Sequence, residues 1–189
     1  VLMRNEFRLN KKRAFKRRKE FKGIKSILLT LGGSESLENY LKIIKVLSEL
    51  KLDSLSEVKL ALGFDQQQEI YSKHLLKSEK LKISVLENPL NIYESMVTSD
   101  LCIGYAGSSS WERCVLGLPS LVKVISDDQI FIAKNLEKKG AAIIWKKESE
   151  LKKLVETMDD RDKWFKVVDA SRKICDGNGS RRVANAILE

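Results

Sequence analysis

Histidine, proline and cysteine are scarce in this 189-residue sequence, which contains one histidine, two prolines and three cysteines. The cysteines, at positions 102, 114 and 175, are odd in number and form no C-x-x-C pair, so they predict neither a disulfide framework nor a cysteine-ligated metal site. The single histidine, His74, cannot complete the usual zinc ligand sets. We therefore expect no metal ion and no other cofactor, and unpaired cysteines favour a reducing cytoplasm.

Long apolar runs and common nucleotide-binding motifs are also missing. No apolar stretch approaches the roughly 20 residues that span a bilayer. Neither a Walker loop nor a G-x-G-x-x-G fingerprint occurs. The string GSSSW at 107–111 resembles a nucleophile elbow, but it ends in tryptophan where that motif has glycine, and His74 precedes the serines, whereas those hydrolases place histidine last. These absences argue against a membrane span, a P-loop enzyme and a serine hydrolase.

The net charge of +9 is concentrated at the start of the chain. Residues 1–25 hold eleven of the 35 basic residues and two of the 26 acidic residues, so the rest of the chain is balanced. This basic arm has no aromatic pattern for stacking bases, and nucleic acid is not a favoured partner. We interpret the arm as a solvated linker or helix face; a contact with RNA, a membrane surface or a preceding domain is the alternative.

Short apolar runs alternate with helical patterns along the rest of the chain. Strands are predicted at 26–31, 58–62, 81–86, 101–104, 120–125 and 141–145. Helices are predicted at 37–48, 66–76, 92–97, 109–116, 128–139 and 148–188, the last with a break at 177–179. Strands that alternate with helices at this spacing predict an α/β, Rossmann-like parallel sheet of about six strands flanked by helices.

Two of the predicted strands end in turns rich in glycine and hydroxyl groups. Parallel sheets bind ligands beyond the carboxyl ends of their strands, where both turns lie. Glycine lets backbone N–H groups approach a ligand, and the helix that follows directs its positive end to the same place. The turns therefore predict a diphosphate site, and a carboxylate after the second turn can accept hydrogen bonds from sugar hydroxyls. The candidate residues are Gly33, Ser34, Gly107, Ser108, Ser109 and Glu112.

Each candidate also has an explanation that involves no ligand. The glycines can serve tight turns, and the serines can cap a helix. Glu112 lies in the first turn of a predicted helix, where a carboxylate is favourable in any case. Their joint occurrence at one sheet edge favours the ligand site.

Four short strings carry a resemblance to a known family: DLCIG at 100–104, GSSSWERC at 107–114, LGLP at 116–119 and DDQ at 127–129. Their order and spacing resemble those of the pseudaminic-acid pathway hydrolase, which releases UDP from a UDP-linked diacetamido-trideoxy sugar. LGGS at 31–34 matches that family's first glycine turn, and DGNGSRRV at 176–183 is similar to its last helix. The resemblance covers nearly the whole chain.

The resemblance implies the UDP-binding, carboxyl-terminal half of a two-domain GT-B fold, with the family's catalytic histidine in the other half. The implied roles are Gly33 and Ser34 on a phosphate, Gly107, Ser108 and Ser109 on the diphosphate, Glu112 on the ribose, and Asp128 with Gln129 at the sugar. Tyr105 departs from the family pattern, because a small residue is expected there.

The expected organisation is a basic linker at 1–25 from a missing N-terminal domain, followed by a UDP-sugar-binding domain at 26–189. No catalytic residue is therefore assigned to this chain. Three functions stay open: half of a UDP-sugar hydrolase, the donor-binding half of a GT-B glycosyltransferase, and a non-catalytic module that binds a nucleotide sugar. Acceptor choice lies mainly in the other half, so the sequence does not separate the first two.

Overall fold

The computed structural model describes residues 1–33, 35–72, 80–86 and 91–188, without the side chains of residues 71 and 72. These residues form one parallel sheet with the strand order β3-β2-β1-β4-β5-β6. The strands are β1 (Ser26–Thr30), β2 (Glu57–Leu60), β3 (Lys82–Val85), β4 (Leu101–Tyr105), β5 (Ser120–Lys123) and β6 (Ile143–Ile144). The predicted six-stranded parallel α/β fold is confirmed.

The helices of the described residues flank this sheet. They are α1 (Asn5–Lys19), α2 (Leu37–Ser48), α3 (Phe64–Ser72), α4 (Ile92–Thr98), α5 (Ser109–Val115), α6 (Asp127–Lys138), α7 (Glu148–Met158), α8 (Arg161–Ile174) and α9 (Gly179–Leu188). No helix in this part of the chain is both long and apolar enough to cross a membrane.

The central strand β1 is buried along its whole length. A strand of this kind needs cover on both faces of the sheet, because its side chains alternate between them. Leu29 belongs to an apolar cluster with Ile43 of α2 and Leu151 of α7. Leu28 belongs to a second cluster, which contains Phe7 of α1 and residues of α4, α5 and α6. The two clusters form the core on opposite faces.

The register brings the ends of three strands together. Thr30, the last residue of β1, lies opposite Gly104 of β4, and Leu29 lies opposite Leu60 of β2. Because the strands are parallel, their carboxyl ends lie at one edge of the sheet. The turns that follow β1, β2 and β4 are therefore neighbours in space.

The basic segment at the start of the chain packs onto the domain. Its helix α1 contacts α4 and α5, and Phe7 and Ala14 are fully buried. Arg17 forms a 2.7 Å ion pair with the buried Asp100. Arg18 donates to the carbonyl oxygens of residues 96, 97 and 99 at the end of α4. The segment interpreted as a linker thus contains a packed helix of this domain, whereas its link to a preceding domain stays a prediction.

Some element ends differ from the predicted ones. β6 has two residues where five were predicted. The carboxyl-terminal helical segment has an additional break at residues 159–160, where the Asp160 carboxylate caps α8 by accepting from the Lys163 backbone N–H at 2.9 Å. The helix predicted at 66–76 corresponds to α3, and residues 73–76 lie outside the described residues.

Candidate functional site

The turns after β1, β2 and β4 enclose a cleft of about 460 Å³ at the carboxyl edge of the sheet. Parallel α/β sheets bind their ligands at this position. The described walls of the cleft contain glycines, hydroxyls, amide and apolar groups, and no charged side chain. The lining residues are Thr30, Leu31, Gly32, Gly33, Ala61, Leu62, Gly63, Ile92, Tyr105, Gly107, Ser108, Ser109, Ile125 and Gln129.

The first glycine turn follows β1 and is supported from behind by a buried tyrosine. Gly32 has a φ of +98°, a conformation that favours glycine. The Tyr40 hydroxyl accepts from the Leu31 backbone N–H at 3.0 Å and donates to the Ala61 carbonyl oxygen at 2.8 Å. Burial raises the pKa of Tyr40 to about 12, so this hydroxyl stays protonated at neutral pH. These bonds hold the turn against the end of β2.

The turn after β2 approaches the first glycine turn closely. A Cβ at Gly63 would lie 2.4 Å from the Gly33 carbonyl oxygen, so a larger residue there would displace the turn. The Gly63 N–H donates to the Gln66 side-chain oxygen at 2.6 Å. The Gln66 amide in turn donates to the Glu35 carbonyl oxygen. Gly63 directly follows the strand predicted at 58–62, and the sequence pattern does not predict this approach because it joins residues 30 positions apart.

The second glycine turn connects β4 to α5. A Cβ at Gly104 would lie 2.6 Å from the Thr30 carbonyl oxygen, whereas a Cβ at Gly107 would meet nothing within 4 Å. Ser108 stands at the start of α5 and makes no side-chain cap hydrogen bond, so its hydroxyl is not used by the helix. Because α5 has only seven residues, a contribution from its dipole is small, and the N–H and hydroxyl groups of the turn are the main donors to the cleft.

Tyr105 connects the two glycine turns. Its phenol donates a hydrogen bond to the Glu35 carboxylate, which also accepts from the Ser36 N–H and the Asn39 amide at 2.8 Å each. Burial raises the pKa of Glu35, but these hydrogen bonds outweigh burial, so the pKa lies below its usual value. Burial and the contact with Glu35 raise the pKa of Tyr105. At neutral pH a phenol therefore faces a carboxylate, which suits a strong hydrogen bond.

A buried arginine lies behind the second glycine turn. Arg113 of α5 is 1% exposed, and its guanidinium donates to the Tyr105 carbonyl oxygen at 2.9 Å and to the Ser110 hydroxyl at 2.7 Å. In the sequence, Arg113 is part of the GSSSWERC string, which by itself predicts no role for the arginine. Helical periodicity within seven residues could not show that its side chain turns back under the β4–α5 turn.

Glu112 lies one helical turn after Ser108 and is not among the residues that line the cleft. Its carboxylate forms a 3.4 Å ion pair with Arg4, and its side chain is 19% exposed. Burial raises the pKa of Glu112 by more than Arg4 lowers it, so the pKa lies above its usual value. Its proposed contact with ribose stays a prediction.

Five of the eight predicted binding residues line the cleft: Gly33, Gly107, Ser108, Ser109 and Gln129. The Gln129 side-chain oxygen accepts from the Ile125 N–H at 3.2 Å, which fixes its orientation. Asp128 is exposed in the first turn of α6 and does not line the cleft. Ser34 lies outside the described residues. The contacts proposed for all eight residues stay predictions.

Metal-ligating side chains do not cluster in the described ranges, where no group of three or more His, Cys, Asp or Glu residues could hold an ion. His74 lies outside these ranges. Cys102, Cys114 and Cys175 are buried and unpaired with one another.

A larger hollow of about 680 Å³ lies on another side of α5, against α6 and α8. Trp111 lines it together with Lys139, Lys166 and Lys173, so this tryptophan does not line the cleft. The hollow is formed by helix surfaces and not by the carboxyl ends of strands. It is therefore not the site that the sheet topology predicts.

Residues 27–172, most of the chain, match the glycosyltransferase family 28 C-terminal domain. The uncharacterized protein MJ1062 of Methanocaldococcus jannaschii is 34% identical over 124 residues, which are 65% of this chain and 25% of that protein.

Solved structures share the fold. MurG of Acinetobacter baumannii superposes with a TM-score of 0.75 and 22% identity, over 96% of this chain and 54% of that one. MnaA of S. aureus, solved as a co-structure with UDP, superposes with a TM-score of 0.67 and 16% identity, over 92% and 47% of the two chains. The fold matches the carboxyl-terminal half of GT-B glycosyltransferases. The chain thus spans about a quarter of its curated relative and about half of these solved chains.

Proposed function

This chain belongs to the glycosyltransferase family 28 C-terminal domains, and from that premise we propose that its cleft binds the UDP part of a UDP-sugar. The observation that carries this proposal is that glycines and serines of two turns, those after β1 and β4, line one cleft, where their N–H and hydroxyl groups are neutral hydrogen-bond donors. Backbone N–H groups and hydroxyls bind phosphate oxygens well, and glycine lets the ligand come close to the backbone. A protein of the same fold, MnaA, was solved with UDP, which makes UDP the first nucleotide to test.

The diphosphate lies between the two glycine turns. Gly33 and Gly107 leave open space at their Cβ positions, so phosphate oxygens can approach their backbone N–H groups. Ser108 and Ser109 donate from their hydroxyls, and Ser34 adds a further hydroxyl from the first turn. These groups are neutral, so the ligand keeps its charge while its oxygens are satisfied.

The ribose and the sugar occupy opposite ends of the diphosphate. Glu112 accepts hydrogen bonds from the ribose hydroxyls. These hydrogen bonds replace part of the ion pair that Glu112 forms with Arg4 in the free protein. Gln129 and Asp128, at the start of α6, approach the sugar. A carboxylate suits a diol because each of its oxygens accepts a hydrogen bond.

The reaction is the release of UDP from a UDP-linked diacetamido-trideoxy sugar in nonulosonic (pseudaminic) acid synthesis. Water attacks the anomeric carbon, the bond from that carbon to the phosphate oxygen breaks, and UDP leaves with the bonding electrons. The donors of the cleft stabilise the charge that grows on the departing diphosphate. The base that accepts the proton of water belongs to a second domain, which corresponds to the other half of the solved relatives. Three free cysteines favour a cytoplasmic setting.

The second candidate is transfer of the sugar to a hydroxyl acceptor. The observation that favours it is the family itself, which is named for glycosyltransferases. Both reactions use the same donor cleft and differ in what attacks the anomeric carbon.

Calorimetric titration with UDP, GDP and CMP tests the nucleotide. We expect UDP to bind most tightly; equal affinities, or tightest binding of CMP, would contradict the uridine assignment. Incubation of the two-domain protein with the UDP-sugar and no acceptor then tests the reaction. Release of free sugar supports the hydrolase, and release only after an acceptor is added supports the transferase.

A further inference from the structure

Arg113 is a buried cation without a carboxylate partner in the described part of the chain. Its acceptors among these residues are all uncharged: the Tyr105 carbonyl, the Ser110 hydroxyl, and the hydroxyls of Thr30 and Ser109, each at a longer distance of 3.4 Å. The Cys102 sulfur lies at 3.8 Å. Its Nε atom is buried and has no hydrogen-bond partner.

The other buried or half-buried arginines near the sheet are compensated differently. Arg17 pairs directly with the Asp100 carboxylate. Arg18 donates to three backbone carbonyl oxygens at the end of α4, and its Nε atom is also buried without a hydrogen-bond partner. The carboxylate next to Arg113, that of Glu112, forms its ion pair with Arg4 instead. Arg113 and Arg18 both lack an ion pair among the described residues, but only Arg113 has hydrogen-bond partners that line the cleft.

Burying a charge without a counter-charge costs several kilocalories per mole, so such a group is rare unless something offsets it. Glycine at position 104 leaves space for the Arg113 guanidinium, since a Cβ there would lie only 3.1 Å from the Arg113 Nη1 atom. Three of its partners, Thr30, Tyr105 and Ser109, line the cleft. The missing negative charge is thus most directly supplied from the cleft.

We infer that Arg113 is a positioning residue for an anionic ligand group, and that this group sits at the Ser109 side of the cleft. The inference rests on the proposed function for the identity of the ligand, whose diphosphate supplies the charge. Arg113 acts through Ser109: because the serine oxygen accepts from the guanidinium at 3.4 Å, its own proton is free to be donated to a phosphate oxygen. The guanidinium behind it adds attraction in a low-dielectric setting.

The test compares Arg113→Gln and Arg113→Lys with the unchanged chain, using inorganic pyrophosphate, UDP and uridine as probes. Arg113→Gln is expected to lower the affinity for pyrophosphate and for UDP by about 10- to 100-fold, the range for a hydrogen bond to a charged group. Uridine affinity should stay within about twofold, because uridine has no phosphate. Arg113→Lys, which keeps the charge, should recover part of the loss. The salt dependence of pyrophosphate binding should become weaker in Arg113→Gln.

Arg18→Gln is the matched control, since Arg18 is equally buried and lies on α1. It should lower the melting temperature without changing the ratio of UDP to uridine affinity. If Arg113→Gln weakens uridine as much as UDP, or leaves pyrophosphate binding unchanged, the inference is wrong. If Arg113→Gln does not fold, two other single variants, Arg113→Lys and Ser109→Ala, test the inference instead. Unchanged pyrophosphate affinity in both of these variants would overturn the inference. Pyrophosphate binding that depends on Arg113, without preference for UDP over GDP, would support the inference and contradict the proposed function.

Discussion

The Tyr105 phenol donates a hydrogen bond to the Glu35 carboxylate and so joins two glycine turns that are 70 residues apart in the sequence. Glu35 belongs to the turn after β1, and Tyr105 ends β4. The two turns form opposite walls of the cleft, and this bond fixes the distance between them. The tyrosine that departs from the family resemblance is therefore a structural link of the candidate site.

Replacement of Tyr105 by phenylalanine should raise the pKa of Glu35. Burial alone raises that pKa, and the hydrogen bond from Tyr105 is the leading opposing contribution. Because the pKa is depressed in the folded state, Glu35 stabilises the fold above its unfolded-state pKa and loses this contribution as the pH falls through the folded-state pKa. In Tyr105→Phe the loss of stability on the acid side should be smaller. Carbon-detected NMR titration of Glu35 measures the pKa, and Tyr93→Phe serves as control; an unchanged pKa in Tyr105→Phe would refute the link.

Phe7 of the basic segment should be important for stability. It is fully buried and packs edge-on against Tyr93 with ring centroids 6.5 Å apart. Phe7→Ala is expected to lower the free energy of unfolding by about 3–5 kcal/mol. Leu9, on the same helix and 64% exposed, is the matched control, and Leu9→Ala should change stability by less than about 0.5 kcal/mol. Urea denaturation measures both, and equal small effects would mean that α1 does not support the fold.

The local sequence pattern predicted the sheet well. A buried parallel strand is a continuous apolar run, such as residues 26–31, and strands alternate with helices at regular spacing along the chain. The packing of α1 could not be predicted in the same way. Its buried residues include Arg18, whose guanidinium donates to carbonyl oxygens at the end of α4, so the helix has no continuous apolar stripe. The carbonyl groups that accept from Arg18 lie about 80 positions away in the sequence, so a local pattern around Arg18 cannot show them.

The site was predicted in part for the same reason. Glycines and serines that follow strands are visible in the sequence, and the turns at 33 and 107–109 do line the cleft. The close approach of Gly63 to Gly33 and the buried position of Arg113 depend on how distant segments pack. Their residue types alone suggest a loop glycine and a surface arginine.

Replacement of Gly107 by alanine should weaken the binding of UDP without changing the stability of the free protein. The added methyl group meets nothing within 4 Å in the free structure, so it should obstruct only a ligand that approaches the backbone. Gly104→Ala should instead destabilise the free protein by about 1–3 kcal/mol, because its Cβ would lie 2.6 Å from the Thr30 carbonyl oxygen. Melting temperature and calorimetry separate the two effects. Full UDP affinity in Gly107→Ala would show that the ligand does not approach this turn.

Replacement of Glu112 by alanine should weaken the binding of UDP by about 1.5–3 kcal/mol, the range for a hydrogen bond to a charged group. Arg4→Ala removes the ion pair and leaves the carboxylate, so it should keep UDP affinity. Because the pKa of Glu112 lies above its usual value, UDP affinity should fall as the pH is lowered through that pKa, and this fall should be absent in Glu112→Gln. If Glu112→Ala and Arg4→Ala lower the melting temperature alike and both keep UDP affinity, the carboxylate is a structural partner of Arg4.

The isolated 189-residue chain should bind UDP but should not hydrolyse a UDP-sugar at an enzymatic rate. The described walls of its cleft contain no carboxylate or imidazole that could accept a proton from water. The sole histidine, His74, lies outside the described residues and far in sequence from both glycine turns. Contacts to the sugar from a second domain would also be missing, and such contacts contribute to rate by orienting the reactants. The assay is release of UDP from a UDP-linked diacetamido-trideoxy sugar. Turnover within the usual enzymatic range of about 1–1000 per second would show that one domain suffices, and a base would then have to be sought among Asp127, Asp128 and His74.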